Sequence, residues 1–441
     1  MTHHFAARLG PKDGFEPRVP ADAGRLYVAE LDSLLRSGHG RTAGRVEAVL
    51  RSHGRNASVR SRDLLRLAVA VYCADLMTPR RQSYDRWTRH IRLYLALEEP
   101  DPWQAEGEAL TRLLRFLTGD HWELDIRPGD PEPWPASPED DDSRGFDTVC
   151  LFSGGLDSFV GALDLLSREQ RAVLVGHYAR GSGATSVSQA AVGEIVQDRY
   201  GSAHAPLLRY FVSPPRQPGR DRENTTRGRS LMFLALGVAT AEAFGARRLV
   251  VAENGLISLN VPLTSTRLGS LSTRTTHPHF IDMFRGLLRA VGLEVELELP
   301  YRFKTKGEML RECSEPDLLM EGLPSTISCA HPEAMRFAGA PNTHCGYCLA
   351  CMIRRAAVEA AGLKDPTRYV YPDPSSLSGK SAVDLKVLRL ALARYAKKPP
   401  RMADLLRAGP LPGTDDERMQ LLGVYRRGID ELRAFLASQG L

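Results

Sequence analysis

Val149-Cys150-Leu151-Phe152-Ser153-Gly154-Gly155-Leu156-Asp157-Ser158 is the stretch that decides the fold of this chain. Its four apolar residues read as a short buried strand, and the apolar spacing of Phe159–Leu166 reads as a helix that follows at once. Between them, two glycines leave backbone N–H groups bare, because glycine has no side chain to obstruct an approaching anion. The helix then directs its N-terminal dipole and unpaired amides at the same point. Ser153, Gly154, Gly155, Leu156, Asp157 and Ser158 are therefore the candidate phosphate cradle, with the two serine hydroxyls as added donors. Asp157 would repel a bare phosphate, so it is expected to act through Mg2+, which neutralises a departing pyrophosphate. A lone Ser-Gly-Gly is as easily a plain turn; the full six residues, set between a strand and a helix, argue against that.

The surroundings repeat the strand–helix alternation. Thr148–Phe152, Ala172–Tyr178, Leu207–Val212, Arg248–Ala252 and Val295–Leu299 are short β-rich apolar runs. Helical patterns over Val187–Tyr200, Ser230–Phe244 and Phe280–Val291 separate most of them. This order predicts βαβ units and a mostly parallel sheet, whose ligands bind beyond the carboxyl ends of the strands. Upstream, residues 1–129 read as an α+β accessory module, with helical spacing in Leu64–Tyr72 and Leu110–Leu117 and alternation in Ile91–Leu97 and Trp122–Ile126. Its tryptophan and leucine pattern is core, with docking of a macromolecular acceptor as its best functional use. Residues 130–145 hold four prolines and the run Glu139-Asp140-Asp141-Asp142 and read as a linker. Residues 146–365 form the nucleotide-binding region. Residues 366–441 read as a helical extension, where Thr414-Asp-Asp-Glu417 is a capping box opening an apolar stripe of Leu421, Leu422, Tyr425, Ile429, Leu432 and Leu436.

Composition narrows the function classes. The 441 residues carry 58 basic against 53 acidic side chains, a net charge of +5 that neither requires nor excludes a nucleic-acid partner. The most apolar run, Leu231–Phe244, is too short for a membrane span and contains Glu242. The opening Met-Thr-His-His-Phe shows no secretory signal, so the expected setting is the cytoplasm, with no membrane partner. Four of the seven cysteines lie close together: Cys329, then Cys345, Cys348 and Cys351 at strict intervals of three. Four thiolates complete the tetrahedral set of a structural zinc ion, with no position left open for catalysis. An iron–sulfur cluster is the competing occupant.

Ser153–Ser158 resembles the PP-loop signature of ATP pyrophosphatases. The resemblance implies an adenine-nucleotide α-hydrolase-like, Rossmann-like sheet that splits ATP between its α and β phosphates and adenylates an oxygen of the substrate. The Gly-Lys-Ser/Thr ending of kinase and GTPase loops is missing. Adding Arg229, Ala241-Glu242-Ala-Phe-Gly245-Ala246, Lys304-Thr305-Lys306-Gly307-Glu308, Cys329 and Cys345-x2-Cys348-x2-Cys351-x2-Arg354-x2-Ala357, the chain is similar to the QueC family of 7-cyano-7-deazaguanine synthases. That likeness spans residues 146–365. It implies ATP, Mg2+ and Zn2+ as cofactors and a 7-carboxy-7-deazaguanine-type carboxylate as substrate. Arg229 and Lys306 match family positions and would bind ATP phosphates or the activated carboxylate, working with Asp157 in catalysis.

The chain departs from the family pattern in three places: Gly176-His177-Tyr178-Ala179, Gly228-Arg229-Ser230, and Glu253-Asn254-Gly255 with Ser270–Pro278. From the last, Glu253, Asn254, Arg274 and His277 are the candidate substrate-binding residues, and His177 is a further candidate to face the nucleotide. The chain is about twice as long as the stand-alone synthases. In this it resembles the longer QueC-like proteins of anti-phage operons, including QatC of the Qat system. That likeness implies a protein amine, on the product of a neighbouring defence gene, as acceptor in place of ammonia; nitrile formation with ammonia stays open beside it. A tRNA-modifying PP-loop enzyme and a nucleotide-binding scaffold without turnover remain the alternative readings.

Overall fold

The strand and helix patterns recur as two all-parallel sheets in a computed structural model of the chain, which describes residues 2–20, 25–36, 44–134, 145–168, 171–179, 183–215, 222–263 and 274–441. Most of the expected linker (135–144) and Ser270–Thr273 lie outside the described residues. The N-terminal sheet contains β1 (Thr2–Arg8), β2 (Leu26–Glu30), β3 (His90–Leu97) and β4 (His121–Pro128), in the order β2-β1-β3-β4. All its pairs are parallel, so this module has α/β character: the chain must cross over between strands, and it does so through α1 (Val59–Met77) and α2 (Gly107–Thr118). The alternation of Ile91–Leu97 and Trp122–Ile126 falls on β3 and β4.

The second sheet has five strands: β5 (Thr148–Leu151), β6 (Val173–Tyr178), β7 (Leu207–Phe211), β8 (Arg248–Val250) and β9 (Glu296–Glu298). Their order is β7-β6-β5-β8-β9, all parallel, and each matches an apolar run of the sequence to within two residues at either end. The order reverses between β5 and β8, and α/β sheets bind ligands at such a switch point, beyond the strands' carboxyl ends. Here those ends are Phe152-Ser153 and Val251-Ala252-Glu253. Helices α3 (Leu156–Arg168) and α4 (Ala184–Tyr200) cover one face; α5 (Arg227–Ala243) and α6 (Pro278–Ala290) lie on the other side.

Helix α5 explains how the two sheets join. Leu231, Met232, Leu234, Ala235, Leu236 and Val238 are all fully buried, so the helix is apolar around its circumference. One side packs on β5 and β6 and the other on α1, which in turn packs on β3. The layers therefore run sheet, α1, α5, sheet, and one continuous apolar core extends from Phe5 to Leu297.

Downstream come α7 (Lys306–Arg311), α8 (Leu349–Ala360), α9 (Val383–Lys397) and α10 (Asp415–Ser438). The Thr414–Glu417 capping box is formed: the Thr414 hydroxyl accepts from Glu417 N–H at 3.2 Å, and the Glu417 carboxylate accepts from Thr414 N–H at 3.0 Å. The stripe from Leu421 to Leu436 is buried in a core shared with Leu349, Met352 and Ile353 of α8 and Leu256 and Leu259 near the second sheet. Among the described residues no helix is long and apolar enough to cross a membrane.

Candidate active site

The turn after β5 is held in shape by its own hydroxyls. Ser153 N–H donates to the Ser158 hydroxyl at 3.1 Å, the two hydroxyls lie 3.1 Å apart, and Gly155 N–H donates to the Ser153 hydroxyl at 3.2 Å. Gly154 has φ of 79°, a conformation that side-chain-bearing residues rarely adopt. A β-carbon there would also sit 2.8 Å from the backbone nitrogen of Gln189 in α4. The turn's outer wall is Ile327, whose N–H donates to the Gly154 carbonyl at 3.0 Å.

Above this turn opens a cavity of about 440 Å³ at the switch point. Ser153, Gly155, Leu156, Asp157 and Ser158 line it from the loop, Arg229 and Ser230 from the first turn of α5, Glu253 from the end of β8 and Lys306 from the start of α7. Residues spread over more than 150 positions of sequence thus face one space. Asp157 is the node between them. Its Oδ1 accepts from the Lys306 ammonium, and its Oδ2 accepts from the Asn254 side-chain amide at 2.7 Å and from Asn254 N–H at 3.3 Å. Arg229, partly exposed to the cavity, makes no ion pair among the described residues.

Not every candidate reaches the cavity. Asn254 is fully buried behind Asp157, and its side-chain oxygen accepts from Ile257 N–H at 3.1 Å, capping the short helix Gly255–Ser258. It orients a site carboxylate instead of lining the cavity. Arg274 turns the other way: it donates to the Phe116 carbonyl at 2.6 Å and lies over that ring. His277 caps α6, its Nδ1 accepting from His279 N–H at 3.2 Å, and packs against Phe116. Burial, reinforced by the Arg274 and His279 charges, pushes its pKa down to about 3. Both residues lie outside the cavity lining, because α2 offers their side chains a carbonyl and an aromatic face. His177 is buried at the end of β6, with Nε2 2.9 Å from the Val212 carbonyl, and it too stays out of the lining. Burial first, and then the Arg229 charge, push its pKa down to about 3.

Some lining residues were not singled out in the sequence. Thr276, whose hydroxyl donates to Glu253, lies in the Ser270–Pro278 stretch but was not itself a candidate, and Ile327-Ser328 sit in a stretch without periodicity or a motif.

The cysteine cluster stands directly behind that last segment. The sulfurs of Cys329, Cys345, Cys348 and Cys351 all lie within 4.8 Å of one another, and those of Cys345 and Cys351 are 3.8 Å apart. A tetrahedral ion with bonds of about 2.3 Å to sulfur needs sulfurs about 3.8 Å apart, so the set fits a metal ion. Backbone N–H groups of Ala330, His331, Cys345, Cys348 and Cys351 point at the sulfurs at 3.3–3.5 Å, as expected around thiolates. The cluster reaches the phosphate turn through two buried residues. His344 Nε2 accepts from Ser328 N–H at 3.2 Å. Arg354, fully buried on α8, donates to the Leu323 carbonyl at 2.6 Å and to the hydroxyls of Thr326, Thr367 and Ser328 at 2.8, 3.0 and 3.3 Å.

A Ser-Gly-Gly turn between a parallel strand and a helix, at the switch point of a parallel sheet and braced by a four-cysteine knuckle, defines a PP-loop α/β protein. No protein-family model matches the chain. Individual proteins do. Over 242 residues it is 31% identical to the 7-cyano-7-deazaguanine synthase of Novosphingobium aromaticivorans, covering 50% of this chain and 93% of that protein. Over 239 residues it is 27% identical to the synthase of Syntrophobacter fumaroxidans (50% and 95%), and over 244 residues 29% identical to 7-cyano-7-deazaguanine synthase 1 of Sphingopyxis alaskensis (51% and 99%). The chain belongs to the 7-cyano-7-deazaguanine synthase, or QueC, family.

Proposed function

We propose that the chain is an ATP-dependent ligase that activates the carboxylate of a 7-carboxy-7-deazaguanine-type substrate and passes the acyl group to a nitrogen nucleophile. The observation that carries this reading is the meeting of the Ser153–Ser158 turn, Arg229, Glu253 and Lys306 in one cavity. Backbone amides of the turn and the α3 dipole hold the phosphates of ATP. A carboxylate oxygen attacks the α-phosphorus, the α–β bridge breaks, and pyrophosphate leaves. The nucleophile's nitrogen then attacks the acyl carbon and AMP departs. Arg229 and Lys306 supply positive charge where the five-coordinate phosphorus gathers negative charge. Asp157, oriented by Asn254, would hold Mg2+, which when bound would neutralise the pyrophosphate. Glu253 and its Thr276 partner line the side of the cavity left for the heterocycle. The cysteine set is read as a closed structural zinc site; sulfurs this close support a single ion over a multi-iron cluster.

The nucleophile is read as a protein amine, in an anti-phage setting, from the resemblance to the longer QueC-like proteins; ammonia would instead give the primary amide, whose oxygen a second ATP would adenylate so that AMP leaves and the nitrile forms. Nucleic acid is not required. With ATP, 7-carboxy-7-deazaguanine and a nitrogen nucleophile the protein should form AMP and pyrophosphate, and Asp157→Ala should lower that rate at least 100-fold. Equal turnover by the variant refutes the assignment. Intact-mass measurement of proteins co-expressed from neighbouring genes separates the acceptors: a deazaguanine-sized gain supports the protein amine, and release of free nitrile alone overturns it.

A further inference from the structure

The relatives align with only about half of this chain, yet the segments flanking the nucleotide-binding region touch the site's cations at one remove. On the N-terminal side, Asp75 of α1 is completely buried. Its Oδ2 accepts from Gly228 N–H at 2.8 Å and from the Thr225 hydroxyl at 3.0 Å, at the very start of α5. Its Oδ1 accepts from the buried Arg89, which also binds Asp120, each at 2.6 Å. On the C-terminal side, Glu431 of α10 accepts from the hydroxyl of Thr305, the N-cap of α7, and its carboxylate lies against Gly307. Arg427, one turn earlier on α10, binds Glu308 at 2.5 Å and the Phe303 carbonyl at 3.0 Å.

The two contacts share a plan. Each flanking segment sets one carboxylate against a first-turn glycine, where the helix dipole favours negative charge. Each glycine adjoins the cation its helix presents: Gly228 precedes Arg229, and Gly307 follows Lys306. Neither glycine has room for a side chain. A β-carbon at Gly228 would lie 3.0 Å from the Tyr72 Cα and the Asp75 Cβ, and one at Gly307 would lie 2.6 Å from a Glu431 carboxylate oxygen.

We propose that Asp75 and Glu431 are positioning residues: they fix the starts of α5 and α7 and so aim Arg229 and Lys306 into the cavity. The flanking segments are on this account part of the site's frame. The proposal rests on the ATP-site reading above for its effect on turnover.

Its test compares Glu431→Ala with Glu431→Gln, which keeps an acceptor oxygen of the same shape, and with Gly228→Ala, which presses on Asp75 without removing a charge. AMP formation should fall at least tenfold in Glu431→Ala and Gly228→Ala, mainly in kcat, and stay within about threefold of wild type in Glu431→Gln. In a Lys306→Ala background, Glu431→Ala should cost less than a further twofold. Full additivity, or undiminished kcat in Glu431→Ala, overturns the proposal. Hydrogen exchange of the intact protein supplies a readout free of catalysis. The 304–310 amides should lose protection in Glu431→Ala and the 226–232 amides in Gly228→Ala. If wild type turns over no ATP, the functional reading falls, and unchanged protection in both variants would sink the positioning claim separately.

Discussion

Asp157 shows why a residue's type and its place have to be read together. Its position after the paired glycines marked it from sequence, but its partners, Lys306 and Asn254, lie 149 and 97 positions away. No local pattern announces such a meeting. Arg274 and His277 show the converse. A polar loop near the expected pocket looked suited to substrate, but direction is set by what packs opposite, and Phe116 of the N-terminal module captured both. The buried histidines carry a testable consequence. His177 and His277 are held near 3, against an ordinary value of 6.5. The unfolded chain therefore binds more protons below pH 6.5, and stability that is complete above that value is lost as pH falls toward 3. Each histidine contributes a slope of about 1.4 kcal/mol per pH unit in that window. Denaturant midpoints should be steady from pH 8 to 7 and drop from pH 6 to 5, before most carboxylates titrate. A flat profile between pH 7 and 5 would contradict the neutral, buried assignment.

At the scale of elements, every strand of the nucleotide-binding sheet was legible: β5 and β6, buried on both faces, read as near-continuous apolar runs, and the outer strands β7 and β9 alternate apolar with polar residues. Strands β1 and β2 were not. Thr2–Arg8 carries two histidines and an arginine, yet its middle is fully buried between β2 and β3. A buried neutral histidine behaves as a core residue while reading as a polar one; burial and the nearby Arg89 push His3 down to about 4. The cysteine spacing was equally plain, but its purpose lay in a path invisible to spacing: from Cys329 through Ser328 and Ile327 to the Gly154 carbonyl. Loss of the metal should therefore loosen the phosphate turn. Treatment with a strong chelator, or Cys345→Ser, should weaken ATP binding at least tenfold in calorimetry and raise hydrogen exchange over residues 323–330. Unaltered affinity in metal-free protein would show that the knuckle stands apart from the site.

For the whole molecule, the N-terminal region and the nucleotide-binding region are built around a shared core. Helix α5 buries one side on the nucleotide-binding sheet and the other on α1, so neither half closes its apolar surface alone. A chain beginning at residue 145 should be insoluble or lack a cooperative thermal transition, while the intact protein should melt in one step. A soluble, cooperatively folding truncated chain would contradict the shared core. The same architecture sets the site's two cations between the segments that flank the nucleotide-binding region, and so ties the chemistry to those segments. The central claim is that the cavity brings a carboxylate oxygen to the α-phosphorus of ATP. Incubation with ATP, an amine acceptor (ammonia or the partner protein) and 7-carboxy-7-deazaguanine labelled with 18O in its carboxylate tests it most directly, by mass spectrometry of the AMP formed. Transfer of the substrate's acyl group to nitrogen should leave one 18O in the phosphate of AMP; unlabelled AMP, or ADP as the nucleotide product, would contradict the account.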